Sequence, residues 1–139
     1  MTPCLAPLIL IGQLLTLYPN ASHTTNIDGQ AFEVQSCVVG PGIHAGATTA
    51  GMAFAGVHFG VGTTIGPDTR VTIQPFVGAS HMANVRELPS ELQFEVGGQV
   101  IVMYGKYGIA GKYFHASNAG MKAPNIGKDA IVLSVVYQF

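Results

Sequence analysis

Near the C-terminal end of the chain a histidine, a serine and an acid stand close together. His115 and Ser117 lie in the run KYFHASNAG (112–120), and Asp129 follows one short segment later. A nucleophile, a base that activates it and an acid that orients the base form the minimal set for ester hydrolysis. The spacing suits that chemistry if the run is a β-strand. Residues i and i+2 then share a face and lie about 6.6–7 Å apart at Cα, so an imidazole leaning along the strand can reach the hydroxyl. The segment 118–128 is long enough to return Asp129 opposite His115, which would also bring Ile131 beside Tyr113. Residue types alone leave a second reading open, because a histidine and a serine in a strand are more often packed or interfacial than catalytic.

The flanking strands must place these groups, and parity says where. His115 and Ser117 share a face with Tyr107, Ile109 and Tyr113, while Lys112 points the other way. Asp129 shares a face with Ile131, Leu133, Val135, Tyr137 and Phe139, opposite Lys128, Ser134 and Gln138. Both strands therefore carry their most apolar face and their reactive groups on one side. That is odd for an enzyme in water and sensible for one whose substrate is a lipid.

Composition points to the same setting. The 139 residues form one domain by size. Only 9% are charged, against roughly 25% in ordinary soluble domains, and the mean hydropathy is +0.39. Past residue 22 no apolar run reaches the roughly 18 residues a membrane helix needs. Short alternating segments and 18 glycines instead suggest a small transmembrane antiparallel β-barrel, an all-β fold that meets lipid outside and satisfies its backbone by closure. A net charge of −1 with no basic cluster gives no reason to expect nucleic acid. Cys4 and Cys37 could pair in an oxidising compartment, which spacing alone does not show. His23, His44, His58 and His81 have no metal-ligand spacing and read as structural or interfacial.

Along the chain, LAPLILIGQLLTL (5–17) is apolar on both faces and has the length of a signal-peptide core. Residues 1–22 are therefore expected to be a leader remnant, or failing that a first membrane segment, with the barrel domain over 23–139. A strand is expected over 30–39, broken by Gly40-Pro41-Gly42; residues 43–50 are small and weakly patterned. Further strands are expected over 52–62 and 70–80, around a turn at Gly66-Pro67-Asp68. Pro75 removes a ladder hydrogen bond and marks a bulge or an unpaired site. A polar loop over 82–91 leads to the clearest strand, Leu92 to Tyr104, where Leu92, Phe94, Val96 and Val100 alternate with Gln93, Glu95, Gly97 and Gln99. Six strands are clear and 43–50 is a doubtful seventh. Eight is the smallest even count for bacterial barrels, so a strand hides in 1–28 or the 43–62 stretch bends into two.

The run His115-Ala-Ser117-Asn118-Ala-Gly120, followed by Pro124-Asn125 and Gly127, closely resembles the C-terminal signature of the lipid A 3-O-deacylase family (PagL-type outer-membrane esterases), H-x-S-N-A-G then P-N-x-G-x-E. Thr72-Ile73-Gln74-Pro75-Phe76 and Leu92-Gln93-Phe94-Glu95 also look like family stretches, and the resemblance covers about residues 69–139. It implies an eight-stranded barrel in the bacterial outer membrane that hydrolyses the 3-O-linked 3-hydroxyacyl ester of lipid A. It implies no cofactor and no metal, and lipopolysaccharide and outer-membrane lipids as partners, with a homodimer left open. His115 and Ser117 fall on the family's base and nucleophile. Asn118 and Asn125, with Gly120, fall on the oxyanion hole and its support. Asp129 stands where the family has glutamate, one methylene longer, and is the one departure in the motif. Two other readings compete: a non-enzymatic small outer-membrane barrel, structural or adhesive, and a soluble lipocalin-like barrel, which would need apolar residues inside.

Overall fold

The computed structural model describes residues 9–17, 31–49, 51–82, 92–117 and 128–139. They form eight antiparallel strands: β1 (Ile9–Leu17), β2 (Ala31–Gln35), β3 (Gly40–Thr48), β4 (Met52–Ile65), β5 (Thr69–Met82), β6 (Leu92–Tyr104), β7 (Tyr107–Ser117) and β8 (Lys128–Gln138). Each strand pairs with the next in sequence, and β1 pairs with β8 to close the barrel. Closure removes the sheet edges, so no strand in the ring is left as a template for another chain.

Ile9–Leu17, for which the sequence offered a leader core or a first segment, forms the closing strand, with a register shift against β8 between Gln13 and Leu15. The doubtful stretch around 43–50 is β3, and it begins three residues earlier, at Gly40. The Gly-Pro-Gly run therefore does not break a strand but starts one; the break falls at Ser36–Val39. Pro41 is tolerated because the last residue of β2, Gln35, already pairs with His44, so Pro41 extends beyond that ladder and pairs only with Phe59 of β4.

The alternation of β6 holds along its length. Gln93, Glu95 and Gln99 are buried in the lumen, while Leu92, Phe94, Val96 and Val100 face out. Phe32 and Val34 of β2 likewise face out and Glu33 and Gln35 in. Val38 departs from that parity: it lies past the strand end and is buried with Ile101, Met103, Ala110 and Val136. Polar residues inside and apolar ones outside exclude the lipocalin-like arrangement.

The lumen is layered rather than uniformly polar. The Val38 cluster closes the end of the short turns, and Met52, Phe54, Phe76, Phe114, Ala116, Ala130 and Val132 form a second apolar cluster towards the other end. Between them lies a polar layer. Lys112 Nζ is 3.4 Å from Glu33 Oε2, and Gln35 donates to Glu33 Oε1 at 2.9 Å. The same ammonium sits 4.7 Å from the ring centre of Phe76, within cation–π range. Gln99 donates to Gln74 Oε1, and Gln74 donates to Val38 O at 2.8 Å, which holds the β2–β3 turn inward. Cys37, in that turn, is disulfide-bonded; Cys4, the chain's other cysteine, lies outside the described residues.

Removing one partner of a buried ion pair costs about 3–5 kcal/mol, because the other charge stays behind. Lys112→Met is therefore expected to lose stability of about that size in denaturant unfolding, and adding Glu33→Gln should recover most of it. Equal stability of Lys112→Met and the parent would show that Glu33 finds another partner.

Pro75 leaves the β4–β5 ladder open without shifting it. Pairs run from Met52↔Met82 to His58↔Phe76 and resume at Val61↔Ile73 in the same register, with Phe59, Gly60, Gln74 and Pro75 unpaired on that side. Gly60 is required there: a Cβ would run into the carbonyl oxygen of Val38.

Candidate active site

β7 and β8 place the reactive groups. Their ladder pairs Tyr107↔Tyr137 through to Ala116↔Lys128, and within it His115 opposes Asp129 directly and Tyr113 opposes Ile131. The barrel face is outward: Tyr113, Ile131 and Leu133 are exposed, and their neighbours Lys112, Phe114 and Ala116 are buried in the lumen. All three candidate residues sit at the end of the barrel that carries the connections 18–30, 49–51, 83–91 and 118–127, opposite the short turns 36–39, 66–68 and 105–106.

His115 Nδ1 is 2.8 Å from Asp129 Oδ1. An ionised carboxylate only accepts, so Nδ1 carries the proton and Nε2 is left as the acceptor. That is the tautomer a general base needs. The shorter acid makes this contact without a bridging water, because direct opposition across the ladder brings its backbone close enough. Tyr113 also donates to Asp129 Oδ1, at 2.9 Å. The pair is accessible rather than buried, with side-chain exposures of 44% for His115 and 19% for Asp129.

Ser117 lies two residues beyond His115 on the same face, half-buried, opposite Phe94 of β6. No hydrogen bond joins it to His115 among the described residues. Without bound substrate such contacts are often long and tighten in the reacting complex. Asn118, Gly120 and Asn125, expected at the oxyanion hole, lie outside the described residues.

On the other flank of His115 its direct partner on β6 is Val96. Val96 is also the near wall of an apolar groove of about 1560 Å³ that runs over the opened β4–β5 ladder, lined by Val57, Phe59, Pro75, Val77 and Gly97. Sequence reading missed this groove. Pro75 was its only local signal, and the groove itself depends on registers across four strands.

Of the other histidines, His44 and His58 meet in the lumen with their Nδ1 atoms 3.4 Å apart, and His58 Nε2 reaches Cys37 O at 2.5 Å. His81 is exposed, and His23 lies outside the described residues. Among the described residues no group of three or more metal-binding side chains converges.

The described residues form a closed eight-stranded barrel with apolar side chains outside, polar and apolar layers within, and a histidine–carboxylate pair on the outer wall. The chain belongs to the lipid A 3-O-deacylase (PagL) family, whose profile matches residues 14–138, nearly its whole length and well beyond the stretch that carries the motif. The family's activity is carboxylic-ester hydrolysis on lipid A, so the reading as a non-enzymatic barrel gives way. No curated protein and no solved structure matches the chain at a significant level.

Proposed function

We propose that this protein is a bacterial outer-membrane esterase that removes the 3-O-linked 3-hydroxyacyl chain of lipid A through Ser117, His115 and Asp129. The observation that carries this reading is the 2.8 Å contact between His115 Nδ1 and Asp129 Oδ1 on the outward face, in phase with Ser117.

In the first half-reaction Ser117 Oγ attacks the ester carbonyl and His115 Nε2 takes the hydroxyl proton. Asp129 keeps Nδ1–H in place and balances the imidazolium charge. The tetrahedral intermediate collapses as His115 returns the proton to the departing sugar 3-hydroxyl, leaving an acyl-serine. Water, deprotonated by His115, then releases the 3-hydroxy fatty acid. Amide donors from Asn118, Asn125 or the backbone near Gly120 would hold the oxyanion, at about 10²–10³ in rate per donor. The groove that begins at Val96 gives an acyl chain an apolar path leading away from the attacked carbonyl.

The two faces of the strands support a membrane placement. Outer-membrane barrels turn short connections to the periplasm and longer ones outward, with a band of apolar side chains between. That would put the site at the outer leaflet, where lipid A resides. Tyr104, Tyr107, Tyr137 and Phe139 gather at the short-turn end, with Tyr107 and Tyr137 ring centres 5.3 Å apart, as an interfacial girdle would. Leu133→Lys is expected to destabilise the barrel in lipid vesicles by about 2–4 kcal/mol if the residue lies near the midplane. Unchanged stability there would speak against lipid contact at β8.

The test of function is mass spectrometry of lipid A from cells with and without this protein. Its presence should yield lipid A lighter by one 3-hydroxyacyl chain, together with free 3-hydroxy fatty acid. Unchanged lipid A in cells that assemble the barrel would reject the reading.

A further inference from the structure

Asp129 Oδ1 receives two donors, His115 Nδ1–H at 2.8 Å and the Tyr113 hydroxyl at 2.9 Å. Tyr113 stands two residues before His115 on the same face, and its direct cross-strand partner is Ile131. Asp129 is therefore its diagonal neighbour, at the roughly 7–8 Å spacing that aromatic side chains can bridge. An ionised carboxylate offers about four lone-pair sites, so one oxygen can accept both bonds.

Tyr113 is 51% exposed on the outer wall and belongs to neither lumen cluster. The aromatic group at the short-turn end is about 20 Å away along β7, taking about 3.4 Å per residue. Asp129 takes both bonds on the one oxygen that faces His115. It lies beside His115, whose side chain is 44% exposed. A second donor, borne on a side chain with only two main torsions, fixes the oxygen that His115 uses.

We propose that Tyr113 is a positioning residue that holds the Asp129 carboxylate against His115 through its hydroxyl. The proposal rests on the reading of Ser117, His115 and Asp129 as a catalytic set. Tyr113 touches no reacting atom; it acts through Asp129 alone.

The test is a double-mutant cycle on the purified full chain in vesicles containing lipid A. It uses the parent, Tyr113→Phe, Asp129→Ala and the double variant, with Ser117→Ala beside them. Tyr113→Phe keeps the ring and should lower kcat about 10-fold, the scale of one hydrogen bond to a charged group, with KM within about twofold. On the Asp129→Ala background the same change should cost less than about twofold, because contacts that act through one another are not additive. An equal fold-loss in both backgrounds would overturn the proposal, since the hydroxyl would then act elsewhere. Parent kcat in Tyr113→Phe would overturn it too, as would a fall in melting temperature that accounts for the lost activity. Full activity in Ser117→Ala would sink the catalytic reading itself, and with it this proposal, through a variant that does not enter the cycle.

Discussion

Ser117→Ala is expected to abolish release of the 3-hydroxy fatty acid while leaving the barrel folded, and His115→Ala should do the same. Both side chains lie on the outer wall and belong to neither lumen cluster, so their removal creates no cavity. Each loss should exceed about 10³-fold in kcat, because nucleophile and base work as one unit. For the same reason the double variant should be no slower than either single one. Without the hydroxyl there is no acyl-serine to form; without the imidazole, the hydroxyl keeps its proton at neutral pH. Product release measured by mass spectrometry, with barrel content checked by circular dichroism, decides the matter. More than a few per cent of parent activity in either variant would remove that residue from the mechanism.

How much of this was readable from the chain depended on contrast between neighbouring residues. In β6 Leu92, Phe94, Val96 and Val100 each stand beside an inward Gln, Glu or Gly, and the strand's bounds were legible to the residue. The same contrast fixed the outward face of β7 and β8, and with it the side shared by His115 and Asp129. β1 was ambiguous because 5–17 is apolar at nearly every position, so no period shows. β3 was faint for a different reason: its pattern is one of size. At Gly46 a Cβ would lie 2.5 Å from Phe32 O, so a small residue is demanded by crowding that hydropathy does not register. The His44–His58 contact was hidden as well. It depends on the register of the paired strands β3 and β4, in which Gly42 opposes His58 and Gly56 opposes His44, and no single-strand period carries that information.

Asp129→Asn is expected to lower kcat by about 10²-fold, less than the loss of His115. Where the orienting acid of such a triad is buried, the same change costs about 10⁴-fold. Here the histidine side chain is 44% exposed, so water and ions screen part of the charge that Asp129 supplies. The remaining loss comes from the proton's position. A carboxylate can only accept from Nδ1–H, whereas an asparagine amide can donate to Nδ1 and favour the tautomer with its proton on Nε2, where it cannot accept from Ser117. Asp129→Glu probes the departure from the family motif. The aspartate already meets His115 at 2.8 Å across directly opposed backbones, so the longer side chain must fold back to keep that contact. Its kcat should therefore fall, but by less than about 10-fold, because the carboxylate and the tautomer it selects are both retained. Steady-state kcat for the two variants separates the roles. Parent-like rates in Asp129→Asn would exclude Asp129 as the orienting acid, and a faster Asp129→Glu enzyme would show that the β7–β8 ladder still holds the spacing of the longer acid.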